Sequence, residues 1–286
     1  MRDRRGSLPA VAAEKLRREG PLSLVREAPV WLTVTGLREL GLRARRRVRR
    51  ARYRRAGMLA VPDPTATIDV DPASVERRVS LSRFDGASPR DLLGVVRGGD
   101  WDRGLPRVEV QPKYRACAAR VEGTSWDETG IVDRLAAELA ATDAETIEHG
   151  CGSRADLLRR YETEREDLYR TLRDDGYDRS VSPVCCRVHV GREGDLLFGS
   201  GGRHRFYLSR LVGIDAVPVE VLVRHAEWQS VRDAVAGAET AADLPPAVRR
   251  HLGHPDLREF DLGGDSLGHP DLREFDLGGD SLGRPV

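Results

Sequence analysis

The sequence predicts a mixed α/β (α+β) domain that follows a basic helical arm. Residues 184–236 alternate between β-branched runs and helical spacings, as strands and helices do when they succeed one another. Apolar residues make up 40% of the 286 residues and charged residues 33%, which suffices for a core and excludes a wholly disordered chain. The charge is divided: residues 1–57 carry 17 basic and 5 acidic side chains, whereas residues 58–286 carry 30 and 41.

The arm, residues 1–60, contains a helix predicted over residues 37–55. Leu37, Leu40, Ala44, Val48 and Ala51 recur every three or four residues, which places them on one helical face. Nine arginines surround this face, among them Arg45, Arg46, Arg47, Arg49 and Arg50. Three interpretations stay open: the arm binds DNA or RNA phosphates, lies on an anionic membrane surface, or packs by its apolar face on the acidic body.

The body, residues 61–240, opens with a short strand over residues 67–70. Asp71-Pro72 is a helix-start pattern, because proline suits the first helical turn, and predicts a helix to about Val79. Two further helices, one with Ile131 and Leu139 and one over 157–172, belong to a helical insertion at about 113–176.

The segment 184–236 has the clearest pattern. A strand over 184–190, a turn at 191–194 and a returning strand over 196–198 are followed by the glycine-rich residues 199–202. A helix is then expected from residue 202 or 203 to Gly213, a strand over 217–223 and a helix over 226–235.

The tail, residues 241–286, contains a duplication. Residues 253–267 are repeated letter for letter at 268–282. Two copies are too few for a solenoid, which needs several stacked units, and identity this complete suggests a slip in the gene. The acidic, glycine-rich composition predicts an exposed, mobile tail.

A candidate phosphate site lies between a predicted strand and a predicted helix. Its residues are Gly201, Gly202, Arg203, His204 and Arg205. Glycines let successive backbone N–H groups turn toward one point, and a helix start adds unpaired donors and partial positive charge. Arginine grips a phosphate with two parallel hydrogen bonds. The alternative is a tight turn whose Arg-His-Arg is simply solvated.

The same segment resembles the ParB/sulfiredoxin superfamily. The likeness is carried by Gly201–Arg205, by Leu211-Val212-Gly213 and by Val217-Pro218-Val219-Glu220-Val221. Weaker likeness to a ParB-like subgroup extends over about 65–236, including the residues 98–102, 121–129 and 224–229.

The resemblance implies a small sheet packed with helices and a nucleotide site at Gly202, His204 and Arg205. It implies a nucleoside triphosphate or diphosphate with Mg²⁺ as ligand. Arg203 stands at the catalytic cysteine of sulfiredoxin, so reduction by that route is excluded. Gly201 replaces an aspartate of the ParB-like kinases, and no counterpart of ParB's helix-turn-helix region follows the domain.

Two carboxylates are candidates for acid or metal chemistry. Asp100 and Asp102 flank Trp101, and in an extended segment both would point to one face and could hold Mg²⁺ beside the phosphates. They are equally explained as surface acids near a core tryptophan. A metal site at His189, His204 and His225 has no supporting spacing.

Nucleotide binding is therefore the leading functional prediction. The alternatives are nucleic-acid binding through the arm and a small-molecule phosphotransferase or nucleotide hydrolase. No run reaches the roughly 18 apolar residues that a membrane span needs, the N-terminus lacks a secretory pattern, and four unpatterned cysteines suggest a reduced cytoplasmic protein.

Overall fold

The computed structural model describes residues 39–142, 144–148, 150–179, 186–260 and 262. The predicted mixed α/β class is confirmed, since helices cover both faces of a six-stranded mixed sheet. No helix in these ranges is long and apolar enough to cross a bilayer. Leu37 and the second copy of the duplication lie outside the described residues.

The sheet is built around its longest strand, which is the β-branched run predicted over 217–223. The strands are β1 (Thr67–Val70), β2 (Arg77–Arg78), β3 (Val95–Arg97), β4 (Cys186–Val190), β5 (Leu196–Ser200) and β6 (Val217–His225). On one side, β6 pairs with β1 along its first half and with β3 along its second half. On the other side it pairs in parallel with β4, which forms an antiparallel hairpin with β5, and β5 pairs with β2.

The helices predicted around 131–139, 157–172, 202–213 and 226–235 form close to their expected bounds. The helices of the described ranges are α1 (39–55), α2 (Pro89–Leu92), α3 (Pro112–Val121), α4 (Ile131–Ala140), α5 (Arg154–Arg160), α6 (Glu166–Asp174), α7 (Arg203–Leu211), α8 (Ala226–Gly237) and α9 (Pro246–Arg249). A π-helical segment, Tyr161–Arg165, joins α5 to α6. Ser153 caps α5 by accepting from the Asp156 N–H.

The sheet separates two core clusters, and its pairing of β4 with β6 contains a β-bulge. Val188 pairs with Val221 but Val190 pairs with Arg224, so β6 carries one residue more than β4 between these points. Before the bulge, the valines of β6 face the larger helical layer. Leu222 and Val223 instead pack in a smaller cluster with Phe84 and Trp101 on the opposite face. Bulges bend a strand and redirect its side chains.

The prediction of a helix from Pro72 to about Val79 is wrong. Asp71 accepts from the Ala73 N–H, as a helix start requires, but only a 3₁₀ turn, Pro72–Ser74, forms. The chain then becomes β2, and Arg78 pairs with Phe198 of β5. Pairing with a buried strand outweighs the local helix signal, since propensity is a weak prior against tertiary context.

The expectation of an exposed tail is wrong for its first part. Residues 241–260 form short turns and α9 against the domain. Leu244 is 3% exposed and Asp256 and Leu257 are each 2% exposed. The composition of the tail hid this, because a few anchoring side chains suffice to bury a polar segment.

Of the three interpretations of the arm, packing by the apolar face is not what α1 shows, because the opposite face is docked. Leu40 is 60% exposed and Val48 is 69% exposed. The docked side uses Arg49, which donates to the carbonyls of Asp91 (2.9 Å) and Leu93 (2.6 Å). The Tyr53 hydroxyl accepts from the Val96 N–H of edge strand β3 at 2.9 Å. Unpaired carbonyls at a helix end and free N–H groups on a sheet edge attract such polar partners.

His189 is a polar residue in the smaller core cluster. It is fully buried and stacks on Phe84 with ring centroids 4.9 Å apart. Neither ring nitrogen has a hydrogen-bond partner among the described residues. A Cβ on Gly199 would lie 2.8 Å from Nε2, so the glycine allows the close approach. Burial lowers the pKa of His189 to about 3.

We predict that His189→Leu stabilises the protein and changes how its stability depends on pH. The unfolded chain takes up the histidine proton below about pH 6.5, whereas the folded protein does not until pH is near 3. The wild-type free energy of unfolding therefore falls as pH drops through this window. The advantage of the variant should grow by about 1 kcal/mol between pH 7.5 and 5.5.

Urea unfolding of both proteins at the two pH values measures this difference. His204 and His254 are shared by the two proteins, so their own contributions cancel. A difference that stays constant with pH would show that His189 does not titrate on unfolding.

Candidate anion-binding site

The strand-to-helix turn after β5 is confirmed, and its glycines take the conformation that the turn needs. Gly201 has φ 76° and Gly202, the N-cap of α7, has φ 52°. Both values lie in the left-handed region that glycine adopts without steric cost. The Gly202 carbonyl accepts from the Phe206 N–H at 2.8 Å. The first N–H groups of α7 have no acceptor within the helix, and its dipole makes this end partly positive.

Four cationic side chains from separate elements surround this helix start, and we call them the basic cluster. They are Arg78 of β2, Lys113 of α3, Arg165 of the π-helical segment and Arg203, the first residue of α7. Burial lowers the pKa of Lys113, and the charges of Arg203 and Arg165 lower it further. Burial also lowers the pKa of Arg78, with a further contribution from Arg203. The helices α3 and α6 both pack against α7, which brings these charges to one region of the molecule.

A carboxylate, Glu148, is paired with Lys113 inside the cluster. Both side chains are only 15% exposed. Burial would raise the pKa of Glu148, but Lys113, Arg165 and Arg203 more than offset it, so the net pKa is lowered. The Glu148 backbone has φ 44°, which is uncommon for a residue other than glycine. Glu148 thus stays ionised as an internal anion.

His204 is not the cation that the sequence suggested. Its side chain is buried, and Nε2 lies 3.0 Å from the hydroxyl of Tyr161, which is also buried. Burial holds the pKa of His204 well below its usual value, and Arg165 and Lys113 lower it further. The imidazole is therefore neutral and anchors α7 to the π-helical segment. Arg205 is half-buried on the same helix.

The π-helical segment contributes to the site at both of its ends. Tyr161 begins it and holds His204, whereas Arg165 ends it and joins the basic cluster. The extra residue in a π turn changes the direction of side chains relative to a regular helix, and such turns are frequent at functional sites.

Several polar atoms around the turn are buried and lack a partner among the described residues. They are Arg78 Nε, Arg165 Nε, Ser200 Oγ and Tyr207 OH. Arg165 and Arg203 also form no ion pair with any residue in the described ranges. A buried donor without a partner costs about 1–3 kcal/mol. Such a group in a native structure points to a site that a ligand or water completes.

Asp100 and Asp102 are not part of this site. Both carboxylates bind Arg192, at 3.0 and 2.8 Å, in the turn after β4. The glycine turn adjoins the other end of the sheet, where Ser200 pairs with Arg187. Val190 lies four steps along β4 from Cys186, which is about 13 Å. The expected Mg²⁺ pair beside the phosphates is therefore not formed, because these acids neutralise a half-buried arginine.

The histidines named as a weak metal set are likewise separate. His225 caps α8 by accepting from the Glu227 N–H at Nδ1, and its Nε2 donates to the Gly99 carbonyl at 2.8 Å. His189 lies in the smaller core cluster and His204 beside Tyr161. Within the described ranges, no three His, Cys, Asp or Glu side chains are placed to hold a metal ion.

The arm arginines divide into docked and exposed groups. Arg46 donates to the Arg90 carbonyl at 3.0 Å, and Arg50 lies 3.5 Å from the Asp63 carboxylate. Arg49 is docked as described above. The outward group is exposed and consists of Arg43, Arg45, Arg47, Arg52, Arg54 and Arg55.

Sequence reasoning missed most of the basic cluster. Lys113 did carry one signal: only it and Lys15 are lysine among the 47 basic residues. Arg78, Glu148 and Arg165 carried none, because each comes from a different part of the chain and only folding brings them to α7.

The basic cluster, its paired Glu148 and the glycine turn are thus the features from which a function can be argued. Comparison with protein-family models, with curated proteins and with solved structures found no match for this chain.

Proposed function

We propose that the basic cluster binds the phosphate groups of a nucleotide, as in a ParB-like nucleotide-binding protein. The observation that carries the proposal is the charge imbalance at the α7 start. Arg78, Lys113, Arg165 and Arg203 meet there with Glu148, and two of the arginines have no ion pair within the described ranges. Arginine binds phosphate oxygens through parallel hydrogen bonds, and lysine adds a point charge.

The backbone supports the same ligand. The N–H groups at a helix start favour anions, and the preceding glycines adopt the positive φ that such a turn needs. The sequence resemblance to the ParB/sulfiredoxin superfamily implies a nucleotide site at this segment. In our proposal Gly201, Gly202 and Arg203 contact phosphate, whereas His204 positions the helix.

The proposed ligand is a nucleoside triphosphate or diphosphate with Mg²⁺. The phosphotransferase alternative relied on Asp100 or Asp102, which bind Arg192 instead. We assign no reaction to the site.

We predict that Arg203→Ala weakens nucleotide binding by about 10- to 100-fold, because a charged hydrogen bond contributes about 1.5–3 kcal/mol. Isothermal titration of ATP, ADP, CTP and GTP, each with Mg²⁺, measures the affinity. Arg134→Ala is the matched control, since Arg134 is an exposed arginine on α4. No binding at millimolar nucleotide, or equal loss in both variants, would contradict the proposal.

Glu148→Gln should have the opposite effect and tighten phosphate binding by about 3- to 10-fold. The substitution removes a negative charge that competes with the ligand for Lys113 and the nearby arginines. Titration with inorganic phosphate tests this without the contribution of a base or Mg²⁺. Weaker phosphate binding in this variant would show that Glu148 does not compete with the anion.

The exposed arginines of α1 favour a second candidate, binding of a nucleic acid through its phosphates. Six exposed arginines lie on this helix with one acid, Glu39. We predict that changing Arg43, Arg47 and Arg54 together to Gln flattens the salt dependence of duplex DNA binding. Each lost phosphate contact reduces the slope of log K against log salt by about 0.9. Fluorescence anisotropy from 50 to 200 mM salt measures the slope, and a flat wild-type slope would reject this candidate.

A further inference from the structure

Residues 253–260 of the first copy of the duplicated segment occupy a groove that we call the tail groove. Its walls are the turn at Gly194, the end of β6 at Arg224, and Trp228 and Arg232 of α8. The copy enters at residue 253 and forms a 3₁₀ turn, Pro255–Leu257, inside the groove.

The central contact in the groove is a buried carboxylate. Asp256 accepts from the Arg224 guanidinium at 2.5 and 2.9 Å and from the Trp228 indole N–H at 2.9 Å. Its other neighbour is Arg232, at 3.3 Å. The side chains of Asp256, Arg232 and Arg224 are 1%, 2% and 4% exposed.

The groove also contacts the residues of the copy on either side of Asp256. His254 lies 2.8 Å from the Gly194 carbonyl and packs edge-on against Trp228. Glu259 pairs with Arg232, which also lies over the Phe260 ring at 5.4 Å. Leu257 is 2% exposed in the main core. The groove thus contacts a histidine, an aspartate, a leucine, a glutamate and a phenylalanine of the first copy.

The second copy repeats every one of these groups fifteen residues later. The equivalents of the docking residues are His269, Asp271, Leu272, Glu274 and Phe275. The groove cannot distinguish the two copies by their side chains, because the repeated residues 268–282 are identical to 253–267.

We propose that the tail groove accepts either copy of the duplicated segment, in two alternative registers of the same chain. The second register requires residues 253–267 to form a closed loop. Loop closure of this length disfavours it by on the order of a hundredfold. The first copy therefore dominates, and the second replaces it when the first is damaged.

The occupant is a segment of the same chain and not of a neighbouring molecule. A short tether holds the second copy near its own groove at an effective concentration in the millimolar range. A separate chain at micromolar concentration competes poorly with it.

Point substitutions separate the two registers, whereas deletion does not, because removing either copy leaves the same sequence. The test compares the wild-type full chain with Asp256→Ala, Asp271→Ala and the double variant. The readouts are the melting temperature and the hydrogen-exchange protection of the Trp228 indole. Asp271→Ala is the matched control and should behave as wild type.

The proposal expects Asp256→Ala to lower the melting temperature only partly and to keep the indole protected. The double variant should lose that protection and melt lower, or fail to fold while Asp256→Ala folds. The proposal is overturned if Asp256→Ala is indistinguishable from the double variant, or if it fails to fold as the double variant does. A concentration-dependent dimer of Asp256→Ala also overturns it, because the groove would then be filled from another chain.

Discussion

Arginine that is removed from water must find an anion, and this constraint organises the molecule. The guanidinium group stays protonated in proteins, so it cannot relieve burial by losing its charge. Ion pairs such as Arg120–Glu166, Arg192–Asp102 and Arg224–Asp256 satisfy the constraint. At the start of α7, the half-buried Arg165 forms no ion pair in the described part of the chain, because the carboxylate of the cluster, Glu148, is paired with Lys113. The same physics thus produces structural ion pairs in one part of the sheet and a candidate ligand site in another.

Local patterns predicted most of the fold. The β-branched run of β6, the helical spacing in α4 and the glycine-flanked α7 depend on neighbours within a few residues, and each formed close to its expected bounds. The helix prediction after Pro72 failed because this segment pairs, as β2, with β5, which lies more than a hundred residues away in the sequence. The docked face of α1 was unpredictable for a related reason. The apolar spacing of the helix does not reveal which groups of the body it meets, and these are backbone carbonyls and one backbone N–H.

The candidate site was predictable only in its backbone. The adjacent glycines Gly201 and Gly202 are sufficient to predict a turn with positive φ. Whether the following side chains face solvent depends on what packs above them, and the partner of His204 is Tyr161, 43 positions earlier. The cluster's cations are equally scattered, so their convergence follows from the sheet order and the packing of α3 against α7. Asp100 and Asp102 show the reverse case, in which a suggestive local spacing is taken up by a distant arginine.

The irregular turn between α5 and α6 ties two regions of the molecule together. Tyr161 faces α7, and Glu166, just beyond the π-helical segment, accepts from Arg120 at 2.7 Å and from Trp126 at 3.1 Å. Each residue of an α-helix advances roughly 100° around the axis. A chain shortened by one residue there would regain uniform winding but would rotate Glu166 away from both donors, or Tyr161 away from His204. The additional residue lets Tyr161 and Glu166 keep their contacts on two sides of one helical segment. Its loss in evolution would break one of these two sets of contacts.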